Sequence, residues 1–168
     1  GIPDAAFEPI EGDDKKYCSQ FKKANREEST QLQLLTASDK PWEHLGTLAT
    51  SIAQLTSLPD DRLEDVQAKE QKYAELVHST GYEFGRQLAD SWRAAFVWTK
   101  CLPAAGGFDY PITNEVFRRL ERNPHDAPKW MRDEIQRLAG QYQFFHWHLA
   151  YPDTFQVPPA GQKPENES

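Results

Sequence analysis

Apolar residues recur at intervals of three and four along most of this chain, the spacing that places side chains on one face of an α-helix. The clearest runs are Leu45, Leu48, Ile52 and Leu55, then Phe84, Leu88, Trp92 and Phe96. This pattern predicts an all-α fold, an irregular helical bundle of about five to six helices with extended termini.

Capping and breaking residues divide the pattern into individual helices. Asp13 is predicted to cap a first helix that runs to about Ser29. Pro41 opens a second helix that ends by Pro59. Asp60 opens a third helix, whose apolar stripe is interrupted by a charged surface.

The most apolar helix is expected at the centre of the core. Gly81 and Gly85 weaken the middle of what is either one long helix or two abutting helices. The inward-facing stripe beyond them is predicted to comprise Leu88, Trp92, Ala95 and Phe96. Residues 102–107 are predicted to terminate this helix.

Two further helices precede the C-terminal region. Thr113 is predicted to cap a short helix that ends at Arg122, and residues 123–126 break it. Pro128 starts the last helix. The aromatic run from Phe144 is either a β-strand or an extension of that helix.

Length and composition fit one folded domain. The chain has 168 residues, of which 38% are hydrophobic, and its five Trp, six Tyr and nine Phe compensate for the modest apolar share. We expect one helical domain over residues 1–156 and a disordered tail over residues 157–168. No apolar run approaches the ~20 residues that span a bilayer, and residues 1–7 lack the features of a secretion signal. A cytoplasmic protein without membrane contact is expected, and a chain without an initial Met suits an internal fragment.

The net charge of −7 argues against a stand-alone nucleic-acid-binding protein. The best candidate for contact with a DNA backbone is the basic cluster of Arg118, Arg119 and Arg122. Acidic residues are interleaved with these arginines, so a solvated helix face is the favoured interpretation. We expect the free chain to bind DNA weakly and without sequence preference.

Residue types and spacing provide no catalytic constellation. Cys18 and Cys101 are expected to be reduced thiols, and no glycine cluster follows a predicted strand to form a cofactor loop. His146 and His148 would share one face of a strand, a spacing that metal sites use. A third ligand would have to come from His44, His78, His125 or a carboxylate, and the chain has no HExxH motif or Cys/His cluster. We predict no catalytic, cofactor-binding or metal-binding residue in this chain.

The aromatic run near the C-terminus is the most informative segment. Its twelve residues, 144–155, hold more apolar surface than one end of a small bundle readily buries, which indicates an interface. The residues predicted to form a docking surface are Phe144, Phe145, Trp147, Tyr151 and Phe155.

Four blocks of the sequence occur in a characteristic order. They are Gly-Ile-Pro-Asp-Ala-Ala-Phe at 1–7 with Gly-Asp-Asp-Lys at 12–15, Asp-Ser-Trp-Arg-Ala-Ala-Phe at 90–96, Pro-Ile-Thr at 111–113, and the aromatic run at 144–155. This ordered set resembles the internal helical region of large N6-adenine DNA methyltransferases of type II restriction–modification systems. In that family the aromatic block leads into an Asn-Pro-Pro-aromatic motif.

The resemblance implies a helical insertion between the two halves of a methyltransferase site. The parent enzyme would transfer a methyl group from S-adenosylmethionine to the exocyclic amine of a flipped adenine. This region would support the catalytic core or the positioning of DNA, so the implied partners are the methyltransferase core of the parent chain and DNA. The family's adenosylmethionine-binding glycine motif and its Asn-Pro-Pro-aromatic motif do not occur in these residues.

Two other interpretations stay open. One is a stand-alone helical protein-interaction module that docks a partner through its aromatic C-terminal segment. The other is a small metal-dependent helical enzyme that uses His146 and His148. A reading frame that continues past Ser168 into an Asn-Pro-Pro-aromatic motif would decide for the methyltransferase.

The isolated chain is predicted not to bind S-adenosylmethionine, because it lacks both a strand-linked glycine loop and the amine-binding motif. Calorimetric titration of the chain with the cofactor should give only heats of dilution. Stoichiometric binding in this titration would contradict the prediction.

Overall fold

The computed structural model of the chain describes residues 1–35, 43–101 and 110–151. Throughout these residues the regular secondary structure is helical, without a β-strand. The α-helices are α1 (Lys15–Leu35), α2 (Glu43–Thr56), α3 (Leu63–Val77), α4 (Thr80–Val97), α5 (Asn114–Arg122), α6 (Lys129–Tyr142) and α7 (Trp147–Ala150). The predicted all-α class is confirmed, and the described residues hold one helix more than expected because part of the aromatic run forms α7.

The helix limits follow local signals in the sequence. Of the two alternatives around Gly81, two abutting helices are observed, because Ser79 Oγ accepts a hydrogen bond from Tyr82 N at 3.3 Å and so caps α4. α1 continues to Leu35, beyond the predicted end at Ser29. The predicted helix start at Pro41, the terminator at 102–107 and the tail at 157–168 lie outside the described residues.

The chain divides into two compact units. The described part of the first unit comprises residues 1–35, 87–101 and 110–144. That of the second comprises residues 43–86 and 145–151. The division falls inside α4, between Arg86 and Gln87.

The core of the first unit is built from α4, α5, α6, the N-terminal residues and the segment that leads into α5. Trp98 and Met131 are fully buried at 0% exposure. The Trp130 ring lies edge-on to the Tyr110 ring, with centroids 5.6 Å apart, and 6.4 Å from the ring of Trp98. Other buried apolar residues of this unit are Ile2, Ala6, Phe7, Cys18, Leu88, Ala94, Ala95, Ile112, Phe117, Leu120, Ile135 and Leu138.

The predicted core stripe of α4 is only partly correct. Leu88 and Ala95 are buried as expected, but Trp92 is 39% exposed and Phe96 is half-buried. The helix instead buries Ser91 together with Ala94 and Ala95, which lie three and four residues further along the same face. Trp92 lies at the edge of this face, where its indole Nε1 donates to the carbonyl of Gly1 at 3.1 Å.

A buried ion pair joins the start of α1 to the segment after α4. The Asp13 and Lys100 side chains are both 0% exposed, and Lys100 Nζ lies 3.3 Å from Asp13 Oδ2. Asp13 Oδ1 also accepts from the Lys100 backbone N at 2.7 Å, and Lys100 Nζ donates to the Trp98 carbonyl at 2.9 Å. These hydrogen bonds compensate charges that burial would otherwise make unfavourable.

Asp14, rather than the predicted Asp13, caps α1. Its Oδ1 accepts from Lys16 N at 2.7 Å and from Tyr17 N at 3.0 Å, which satisfies free amides of the first helical turn. The neighbouring Asp13 does not cap the helix because its carboxylate pairs with Lys100. Local sequence favours either aspartate as a cap, and a residue 87 positions further along the chain decides between them.

Two buried asparagines fix the N-terminal segment. Asn114 Oδ1 accepts from Ile2 N at 2.7 Å, and Asn25 Nδ2 donates to the Ile2 carbonyl at 3.0 Å. Asn114 N donates in turn to Asn25 Oδ1 at 2.8 Å, so α1, α5 and the N-terminal segment share one polar network. A Cβ atom on Gly1 would collide with the Asn114 side-chain oxygen, so this close approach requires glycine.

The second unit is less tightly packed in its described part. Ile52 of α2 is 7% exposed, whereas α3 buries none of its residues. Lys69 of α3 reaches the Leu58 carbonyl at 3.4 Å and Asp60 Oδ2 at 3.3 Å. Across the described ranges no helix combines the length and the apolar character needed to cross a bilayer.

Replacing Asp13 by Ala is expected to destabilise the chain by about 3–5 kcal/mol, because the Lys100 ammonium would be left buried and unpaired. The control Asp14→Ala removes only an N-cap and should cost about 1 kcal/mol. Urea denaturation followed by circular dichroism measures both free energies of unfolding. Losses of equal size in the two variants would show that the ion pair does not carry this stability.

Candidate docking surface

The aromatic run begins with a change in chain direction at Gln143. Gln143 has φ 50° and ψ 57°, the left-handed conformation, and follows the last turn of α6. The amides of Gln143 and Phe144 both donate to the Ala139 carbonyl, the latter at 3.0 Å. Glycine usually occupies this position because a Cβ atom is strained there, so the turn holds a strained residue at the start of the run.

One short helix then arranges the exposed rings. Leu149 N and Ala150 N donate to the His146 carbonyl, each at 3.0 Å, and Tyr151 N donates to the Trp147 carbonyl at 2.8 Å. This turn places Trp147 and Tyr151 four residues apart on one side of α7. Leu149, on the other side, is 1% exposed.

Three rings form what we term the aromatic surface: Phe145, Trp147 and Tyr151. Their residues are 47%, 54% and 50% exposed. Phe145 meets Trp147 edge-on with centroids 5.0 Å apart, and Trp147 stacks on Tyr151 at 5.8 Å. A contiguous set of half-exposed rings in one unit is the kind of apolar patch that proteins use for binding.

The two other residues predicted for the docking surface are placed differently. Phe144 is half-buried and belongs to the first unit, where its ring stacks on that of Tyr142 at 6.2 Å. Phe155 lies outside the described residues. In its described part, residues 144–151, the run is neither a strand nor a direct extension of α6, because the left-handed residue Gln143 lies between α6 and α7.

The histidine pair does not have the geometry expected of a strand. His146 is 9% exposed and His148 is half-buried, with ring centroids 6.0 Å apart. In the described part of the chain no three His, Cys, Asp or Glu side chains lie where they could together hold a metal ion. Among the residues that the structure describes, these histidines therefore lack a metal ligand set.

The three arginines proposed for DNA contact lie on α5 together with acidic side chains. Arg118 Nη1 donates to Glu121 Oε2 at 2.9 Å, and Arg119 lies 3.5 Å from Glu115 Oε1. Arg122, in the last turn, favourably opposes the negative end of the helix dipole. Because their charges are engaged within α5, these arginines contribute less positive potential to a DNA site than their sequence suggests.

The Cys18 thiol does not have the surroundings of a nucleophile. Cys18 and Cys101 are both buried, and no disulfide involves either of them within the described residues. Burial raises the pKa of the Cys18 thiol, and the nearby Asp13 carboxylate raises it further. The reactive thiolate is therefore disfavoured at neutral pH.

The residue that sequence reasoning missed is Gln143. Left-handed residues at helix ends are usually Gly or Asn, so a glutamine gives no signal of such a turn.

Comparisons with protein-family models, with curated proteins and with solved structures found no match to this chain. The methyltransferase resemblance therefore stays a hypothesis that rests on the four sequence blocks.

Replacing Gln143 by Gly is expected to stabilise the chain by about 0.5–1 kcal/mol. The substitution removes the left-handed strain, and the greater freedom of glycine in the unfolded chain offsets only part of that gain. The control Gln141→Gly, two residues earlier in α6, should instead destabilise by about 1 kcal/mol. Thermal unfolding of the two variants tests this, and a loss of stability in both would contradict it.

Proposed function

We propose that this chain is a helical domain of a site-specific DNA adenine-N6 methyltransferase, of the kind found in restriction–modification systems. The domain supports the catalytic core of its parent enzyme or helps to position DNA. The active site and S-adenosylmethionine belong to other parts of the parent. The observation that carries this proposal is the ordered set of four sequence blocks.

The packing of the first three blocks supports their being treated as one set. In the first block, Ile2 and Phe7 are buried and Gly1 sits against Asn114. The same block supplies Asp13, which pairs with Lys100, and Asp14, which caps α1. The residues of the first block therefore have structural roles in burial, pairing and capping.

The second and third blocks meet the first in the same unit. Trp92 of the second block donates to the Gly1 carbonyl, and Ala94 and Ala95 are buried. In the third block Pro111, Ile112 and Thr113 are buried beside Asn114, whose side chain holds Ile2. Blocks far apart in sequence therefore depend on one another, which explains why they would occur together in one family.

The fourth block favours a protein partner over DNA. Residues 145–151 contain no Lys or Arg to neutralise phosphates, and no Asp or Glu either. A neutral patch of half-exposed rings matches an apolar protein surface, where aromatic residues often dominate the binding energy. In the proposed parent this partner is the methyltransferase core.

The complete reading frame tests the assignment to the methyltransferase class. It is expected to encode an Asn-Pro-Pro-aromatic motif downstream and a glycine-rich cofactor motif upstream. The protein expressed from it should form N6-methyladenine in DNA, measured by mass spectrometry of nucleosides after incubation with S-adenosylmethionine. A frame without these motifs whose product leaves DNA unmodified would favour the stand-alone interaction module.

The role of the aromatic surface is tested in the same full-length protein. Replacing Phe145, Trp147 and Tyr151 together by Ala should lower the methylation rate at least about tenfold, because aromatic anchors of an interface are often worth 2 kcal/mol or more. Affinity for S-adenosylmethionine should stay unchanged. The control Tyr142→Ala removes an aromatic residue of equal exposure, 50%, that precedes the turn. An undiminished rate in the triple variant would exclude the docking role.

A further inference from the structure

Helix α3 carries an apolar stripe that is exposed along the helix. Leu63 is 69% exposed, Val66 45% and Tyr73 46%. No residue of α3 is buried. α3 contacts α2, yet this stripe stays exposed, and an exposed apolar stripe on a helix is a surface that a further helix could cover.

The spacing of the stripe identifies the shape of that partner. The stripe positions are Leu63, Val66, Glu70, Tyr73 and Val77, which alternate steps of three and four residues. Alternating steps of this kind are the core repeat of a coiled coil, in which side chains interlock with those of a second helix. The fit is therefore to an α-helix that runs along α3.

A single charge identifies the chemistry of the partner. Glu70 occupies the central stripe position and is exposed, and it forms no hydrogen bond or ion pair with the residues that the structure describes. A second copy of α3 is a poor partner, because Glu70 lies seven residues from both Leu63 and Val77 and would face its own copy in either orientation. A basic residue of the partner opposite Glu70 would form an ion pair with its carboxylate.

We infer that the stripe of α3 is a docking face for an amphipathic helix that carries Lys or Arg opposite Glu70. Apolar residues of that helix cover Leu63, Val66 and Tyr73, and its cation pairs with the carboxylate at the centre. A charged group at one core position selects the partner and its register, as in other helix pairs. This inference depends on neither the aromatic surface nor the methyltransferase resemblance.

The probe is a labelled synthetic peptide about three heptads long, with apolar core positions and Lys at the central core position. A matched peptide carries Glu there. Fluorescence anisotropy with the whole chain should show that the Lys peptide binds about two- to fivefold more tightly, which is the range that one exposed ion pair supplies. Equal affinity for the two peptides, or binding of neither, would overturn the inference.

Variants at exposed positions complete the test. Glu70→Lys should reverse the preference, and Val66→Asp should abolish binding of both peptides. The control Glu75→Lys makes the same charge change on α3 outside the stripe and should leave the preference intact. Sedimentation velocity tests whether a second copy of the chain occupies the face. If the chain self-associates and Val66→Asp abolishes this association, the face belongs to a second copy and the inference is overturned.

Discussion

The contact on which the first unit depends is the buried pair of Asp13 and Lys100. Two opposite charges without exposure to water are tolerated only when every remaining hydrogen-bonding group has a partner. Here the aspartate also accepts from the Lys100 amide, and the ammonium donates to the Trp98 carbonyl. The pair therefore fixes the end of α4 against the start of α1 with directional bonds, which apolar packing alone would not provide.

The asparagine network extends the same principle to the N-terminal segment. Residues 1–7 form few backbone hydrogen bonds among themselves. Burying their polar backbone groups therefore requires hydrogen-bond donors and acceptors from other segments. Asn25 and Asn114 supply them to Ile2 from two different helices. A partly satisfied network would be worse than an apolar core, so the residues of this network constrain one another.

The surfaces offered for binding differ from the core in kind. The aromatic surface is uncharged and follows a strained left-handed residue, and strain of this type tends to occur where function requires a particular chain path. The stripe of α3 is regular and carries one exposed carboxylate at its centre. We propose a neutral protein face as the partner of the first surface and a helix with a complementary cation as the partner of the second.

Local sequence signals determined which segments are helical. Apolar spacing and prolines act over one or two turns, so α2 to α6 could be predicted from residues within each segment. The run from residue 144 was ambiguous, because the spacing of His146 and His148 suited a strand, and glutamine at position 143 gave no sign of a left-handed turn. The candidate docking residues could be chosen from their composition alone, since three aromatic residues in one short run exceed what a surface helix needs.

Only the tertiary structure decided how those elements face one another. Trp92 and Phe96 had the spacing of core residues, but in the folded chain α4 buries Ser91, Ala94 and Ala95 more deeply. Asp13 was predicted to cap α1, but its side chain pairs with Lys100, and Asp14 caps the helix instead. Helix formation is a property of neighbouring residues, whereas the choice of inward face and polar partner depends on residues nearly ninety positions apart, which no local pattern specifies.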